Sequence, residues 1–181
     1  MTTNTARRFE EITSPHLDAA YNLARWLTRN PHDAEDVVQE AYLRAFRFFG
    51  SFRGGDGKAW LLTIVRNTAY SWLQQNRRET TAAFADAALS ADEETAFAQD
   101  GPESPEAILA RMSDQNLLVE ALDQLPAEFR EVLVLRELED LSYKEVAAIA
   151  DIPIGTVMSR LSRARRLLRE RLTPTTPESS Q

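Results

Sequence analysis

Apolar residues recur along most of this chain at intervals of three and four, the period of a helix with one buried face, and nowhere do they alternate as in a half-exposed strand. The spacing predicts an all-α protein. Ser14-Pro15 reads as a helix start, an oxygen-bearing cap with proline at the first helical position, and Leu17, Ala20, Tyr21, Ala24 and Leu27 follow as its stripe. Asn30-Pro31 reads as its end. Asp33 is the expected cap of a second helix, with Glu35 and Asp36 in its first turn and a stripe of Val38, Ala41, Ala45, Phe48 and Phe49. Four glycines between Gly50 and Gly57 mark a loop, and a third helix is expected from Lys58 to Arg78.

From Glu79 to Ser104 the periodicity stops. The segment is rich in alanine, threonine and acid and reads as a flexible acidic linker, with at most a short helical piece over Phe84 to Leu89. As a coil its roughly 26 residues span about 25 to 30 Å, enough for the flanking parts to engage separated sites. Ser104-Pro105 then opens a further helix with Ile108, Met112, Leu118, Ala121, Leu122 and Leu125 as core stripe. Pro126 starts the next, which buries Phe129, Val132, Leu133 and Leu135. Two small helical domains are expected, residues 10–78 and 105–172, joined by the linker 79–104 and followed by a disordered tail, 173–181.

The sharpest pattern runs from Ser142 to Leu172. Ser142 and Glu145 have capping-box spacing, each side chain able to satisfy the other's free amide. Ala147, Asp151 and Val157 then stand where a helix-turn-helix needs a small residue at the crossing, a tight turn, and a branched apolar residue locking the second helix. Asp151 takes the place where glycine is commonest, and aspartate tolerates the left-handed conformation better than most residues. The second helix turns Val157, Leu161, Ala164 and Leu168 inward. Outward it presents Thr156, Met158, Ser159, Arg160, Arg163 and Arg166, groups suited to phosphates and base edges in a major groove. A solvated basic face is the bland alternative; the capping box and turn spacing favour DNA.

Composition changes that picture in one respect. The net charge of −7 looks wrong for a DNA binder, yet it is segregated. Met1 to Arg78 carries eleven basic and eight acidic residues, Glu79 to Ala107 none and eight, Ile108 to Leu141 three and eight, and Ser142 to Leu172 seven and three. Two basic segments thus flank an acidic middle. The chain has no cysteine, which excludes disulfides and thiolate metal sites. No run of eighteen apolar residues exists and Met1 to Phe9 is polar, so membrane insertion is not expected and a cytoplasmic protein is.

Catalysis and cofactors are not expected. Gly57-Lys58 superficially suggests a phosphate-binding loop, but Phe52 and Ala59 hold the places of the required glycine and hydroxyl, and no strand precedes them. His16 and His32 lack metal-ligand spacing, and Asp92-Glu93-Glu94 lies in the linker. In the first domain, Asp36, Gln39, Glu40, Leu43, Arg44 and Arg47 share the helix face opposite the stripe, and a leucine among polar neighbours suggests a protein interface. Arg66, Asn67, Tyr70, Gln74, Arg77 and Arg78 line one side of the third helix, where aromatic, amide and guanidinium groups suit unpaired bases. Trp72 reads better as a core residue.

These residues carry a resemblance to the extracytoplasmic-function (ECF) sigma factors of bacterial RNA polymerase. DAEDVVQEAYLRAF (Asp33 to Phe46) resembles the part that clasps core polymerase, which implies that role for Asp36, Gln39, Glu40, Leu43 and Arg44. FRGGDGKAWLLTIVRN (Phe52 to Asn67) resembles the part that reads and melts the minus-ten element. It implies contacts from Phe52, Arg53, Trp60, Arg66, Asn67 and Tyr70 to the melted non-template strand, a flipped base entering near Phe52 and Arg53. Leu125 to Leu172 resembles the domain that reads duplex DNA at minus-thirty-five. The resemblance further implies an anti-sigma partner and a linker running toward the RNA exit path. One departure is Met158, where family members often carry arginine; an apolar contact to a thymine methyl is the expected substitute. An ordinary helix-turn-helix regulator acting without core polymerase is the competing reading, and it leaves the first domain's interface, glycine loop and aromatic-amide helix unexplained.

Overall fold

The computed structural model describes residues 3–83 and 105–173, with side chains described within 3–79 and 114–173. The described residues form eight α-helices and no strand: α1 Thr3–Thr13, α2 Leu17–Thr28, α3 Pro31–Phe48, α4 Gly57–Ala83, α5 Pro105–Asp123, α6 Ala127–Leu133, α7 Tyr143–Ala150 and α8 Ile154–Leu172. The all-α expectation stands, and the helices gather into an N-terminal lobe, α1–α4, and a C-terminal lobe, α5–α8. The expected helical piece over Phe84 to Leu89 and the tail from residue 174 lie outside the described residues.

Several boundaries differ from the reading of the sequence, each for a local reason. The polar start is itself helical, because one residue of α1, Phe9, is worth burying: only 2% exposed, it meets Tyr42, Phe46 and Phe49 edge-on at centroid distances of 4.8, 5.1 and 5.3 Å. Ser14-Pro15 therefore does not open the first helix but forms a single 3-10 turn, Ser14–His16, between α1 and α2. The cap of α3 is Asn30, not Asp33. Its side-chain oxygen accepts from the amides of His32 (2.8 Å) and Asp33 (3.2 Å), with Pro31 at the first helical position. Phe48 was expected inside and is 63% exposed. The helix tightens into a 3-10 turn at Phe49–Ser51, and Phe49 takes the core position instead.

The core face of α3 is small, Ala34, Val37, Ala41 and Ala45, all buried, which lets α2 and α4 approach closely. Val38, one step off that face, is half-buried. Asp56 caps α4 by accepting from the amides of Lys58 (2.9 Å) and Ala59 (3.3 Å), and α4 runs on to Ala83, into the segment read as linker. Gly57 is fixed by space: a Cβ there would lie 2.7 Å from Ile12 Cγ2. Trp72 packs half-buried against the core, as expected.

In the C-terminal lobe, Leu118 was expected inside and is 42% exposed; among the described side chains of α5 Ala121 is buried, and Leu125, just past the end of the helix, is buried too. Ile108 and Met112 lie outside the described side chains. Phe129, expected buried, is half-buried, while Val132, Leu133 and Leu135 are buried. After α6 the backbone widens into a π-turn, Val134–Leu138, closed by Glu139 N–H donating to the Val134 carbonyl at 3.0 Å. The two lobes pack directly on each other, α4 against α7 and α2 against α6. No helix among the described residues is long and apolar enough to cross a membrane.

Candidate nucleic-acid and polymerase interfaces

The helix-turn-helix is assembled as its spacing requires. Ser142 accepts from the Glu145 amide at 3.2 Å while Glu145 accepts from the Ser142 amide at 2.7 Å, completing the capping box. Asp151 adopts the left-handed conformation, φ 54°, and its amide closes α7 on the Ala147 carbonyl. Val157, Leu161 and Ala164 are buried and hold α8, while Leu168 is half-buried. Met158, Ser159, Arg163 and Arg166 are exposed on the outward face, with Thr156 and Arg160 half-buried. The Ser159 hydroxyl donates to the Thr156 carbonyl at 3.1 Å, and Arg166 lies 3.8 Å from Glu170. Arg165, on the same helix, is pinned to Glu137 of the π-turn, whose bond holds the guanidinium above its ordinary pKa.

On α3, Asp36, Gln39, Glu40, Leu43, Arg44 and Arg47 line one shallow groove. Leu43 is 59% exposed at its middle, beside the Arg44–Glu40 ion pair at 2.5 Å.

The glycine loop is anchored by aromatic rings: Phe52 stacks on Phe49 at 5.9 Å and tilts against Trp60 at 5.0 Å. Gly54 and Gly55 stand at φ +89° and +103°, which side chains rarely adopt. Phe52 also lines a depression with Asn4, Thr5, Arg8, Phe49 and Gly50; Arg53 is exposed and does not line it. Phe52 and Trp60 are half-buried, so much of both rings is committed to packing. Asn67 is exposed, its side-chain oxygen accepting from Arg66 at 3.3 Å.

Arg66 and Tyr70 are not free. Both bind Glu131 of α6, Arg66 Nε donating to Oε1 at 2.6 Å and the Tyr70 hydroxyl to Oε2 at 3.0 Å. The Arg66 guanidinium also lies over the Tyr70 ring at 4.2 Å. Burial lowers the Arg66 pKa, but Glu131 outweighs it and the net direction is up; burial and then the Glu131 charge push Tyr70 up. Glu131 itself is pushed up: its loss of water exceeds the pull of Arg66, Tyr70 and the charge of Arg160. Sequence reading missed Glu131, because a glutamate next to Arg130 on an amphipathic helix looks like any surface position. The i, i+4 spacing of Arg66 and Tyr70 was the available signal, since that spacing lets two side chains share one acceptor.

Two family models match the chain, sigma-70 region 2 over residues 12–79 and sigma-70 region 4 over residues 115–168. The ECF RNA polymerase sigma-E factor of Escherichia coli is 36% identical over 143 residues, 78% of this chain and 75% of that protein. The chain belongs to the ECF sigma factors. The ECF RNA polymerase sigma factor SigE of Mycolicibacterium smegmatis is 35% identical over 96% of this ECF chain, which spans 65% of that relative's length. Among solved structures, the sigma factor RpoE of Bartonella quintana, in complex with the anti-sigma factor NepR, matches with a TM-score of 0.73 and 32% identity, covering 92% of this chain and 97% of that one. CnrH, in complex with the cytosolic domain of CnrY, shares the fold with a TM-score of 0.58. Sigma factors recognise DNA for RNA polymerase and are not enzymes.

Proposed function

We propose that this ECF sigma factor binds core RNA polymerase and directs it to promoters, which it recognises and opens. The α3 groove, Asp36, Gln39, Glu40, Leu43 and Arg44, docks on polymerase. Phe52, Arg53, Trp60, Arg66, Asn67 and Tyr70 meet the minus-ten element as its non-template strand unpairs. Thr156, Met158, Ser159, Arg160, Arg163 and Arg166 read duplex DNA at minus-thirty-five. The observation that carries this reading is the helix-turn-helix itself, a capped and αL-closed turn presenting hydroxyl and guanidinium groups on α8, in a chain matched to sigma factors over both lobes. The site of action is the cytoplasm, where polymerase and promoter meet, and an anti-sigma protein is the proposed regulator, as NepR is for the Bartonella relative.

Pull-down with core polymerase tests the docking face: tight binding to duplex DNA with none to core sinks the assignment. Arg163→Ala is expected to weaken duplex minus-thirty-five binding by about 1 to 3 kcal/mol if the guanidinium reads a base, with core binding intact. A loss uniform across sequences, with a shallower salt dependence, marks a phosphate contact instead. Asn67→Ala is expected to leave closed-complex formation unchanged and to slow promoter opening, measured by permanganate reactivity of unpaired thymines. Unchanged opening removes Asn67 from the melted-strand site.

A further inference from the structure

The first turns of α8 carry two features that the fold itself does not use. Ile154 and Met158, four residues apart and so on one side of the helix, leave 45% and 53% of their surface in water. Gly155, in the same turn, is the second. Glycine commonly stands where the backbone needs a positive φ or where a side chain would not fit, and neither holds here: its φ is not positive, and a Cβ built on it meets nothing within 4 Å among the described residues. Alanine would serve the helix better. What gains from the missing side chain is a body outside the chain that comes close to the backbone of α8.

The charge of the helix indicates what that body is. Six arginines stand against one glutamate, Glu170, between Ile154 and Leu172. Their complement is a polyanion. Duplex DNA is a polyanion that also offers apolar groups, since its major groove displays the thymine methyls. Arginine answers its phosphates; isoleucine and methionine answer its methyl groups.

We infer that Ile154 and Met158 form an apolar edge that takes thymine methyl groups on neighbouring base pairs of the minus-thirty-five element, with Gly155 letting the first turn of α8 lie flush in the groove. The inference rests on the assignment of α8 to duplex DNA and adds Ile154 and Gly155 to it. Four residues advance a helix by about 6 Å and base pairs stack about 3.4 Å apart, so two side chains on one ridge reach thymines one or two steps apart. The neighbouring hydroxyl suits the same base pair. Ser159 spends its proton on the Thr156 carbonyl and keeps only lone pairs to offer, which fit the amino group of the adenine opposite a thymine.

The test uses holoenzyme reconstituted from the full-length chain and core polymerase, with a library of fully paired promoter duplexes randomised over both elements. In the duplex that the wild type enriches, each upstream thymine in turn is replaced by deoxyuridine, which removes one methyl group and keeps every hydrogen bond. Affinity is expected to fall about fourfold, the worth of one buried methyl group, at two thymines no more than two steps apart. Met158→Ala is expected to abolish the loss at one of them and Ile154→Ala at the other. The ratio of thymine to deoxyuridine affinity is taken within each variant, so a general weakening does not imitate the result. An enriched element indifferent to deoxyuridine, or one whose methyl dependence survives both substitutions, overturns the apolar edge. Gly155→Ala is expected to weaken thymine and deoxyuridine duplexes alike, about tenfold, as one overpacked contact does, with a melting temperature no lower than wild type. Unchanged affinity in that variant overturns the flush docking. A holoenzyme that enriches no upstream sequence sinks the assignment of α8 to DNA and the inference with it, whereas enrichment without methyl dependence leaves the assignment standing and removes the inference alone.

Discussion

Phe9→Ala is expected to destabilise the N-terminal lobe by about 3 to 5 kcal/mol, the usual range when a buried aromatic is truncated in a packed core. Phe9 is 2% exposed, and its ring is the common edge-on partner of Tyr42, Phe46 and Phe49. Phe49 in turn stacks on Phe52 of the glycine loop. Removing Phe9 therefore leaves a void under the loop proposed to receive a flipped base. Thr13, whose hydroxyl donates to the Phe9 carbonyl at 2.8 Å and lies 3.2 Å from the Tyr42 hydroxyl, does not fill it. Thermal unfolding followed by circular dichroism checks this, with roughly 4 to 8 °C expected per kcal/mol for a lobe of this size. A melting temperature within two or three degrees of wild type shows instead that α1 is dispensable for the core.

Leu161→Ala is expected to cost about 2 to 5 kcal/mol in the C-terminal lobe and to take minus-thirty-five binding with it. Leu161 is 1% exposed beneath α8, where it packs with Val157 and Ala164. The contrast with Arg163→Ala is informative. Both variants weaken duplex binding, but only Leu161→Ala lowers the denaturant midpoint, because it removes the support of the recognition helix and none of its outward groups. Lower temperature is expected to restore part of the binding in Leu161→Ala and none in Arg163→Ala. If Leu161→Ala binds DNA normally at its own melting onset, α8 does not need this packing to present its face.

Much of the site was legible before any tertiary contact was known. The α3 groove gathers the same residues that share one face of a 3.6-residue period, and the α8 face follows from Val157, Leu161 and Ala164 pointing inward. Errors fell where neighbouring signals compete. Asn30 and Asp33 are both good caps three residues apart, and the proline between them favours the earlier one. Phe48 and Phe49 are adjacent and equally apolar, so the choice between them depended on where α3 tightens into its 3-10 turn. Leu118 fits the helical stripe, yet it is 42% exposed three residues before Ala121, which is buried.

The helix-turn-helix from Ser142 to Leu172 was determined by sequence alone, since its cap, its turn and its locking residue act within a span of sixteen positions and need only local geometry. Promoter-factor membership was likewise visible in the order of polar interface, glycine loop and helix-turn-helix. Only the tertiary structure decided that Arg66 and Tyr70 are bound rather than presented. Their acceptor, Glu131, lies 65 and 61 residues away on the other lobe. No periodicity encodes a contact at that separation, because a side chain's partner across an interface depends on how two lobes meet, which packing sets and spacing along the chain does not.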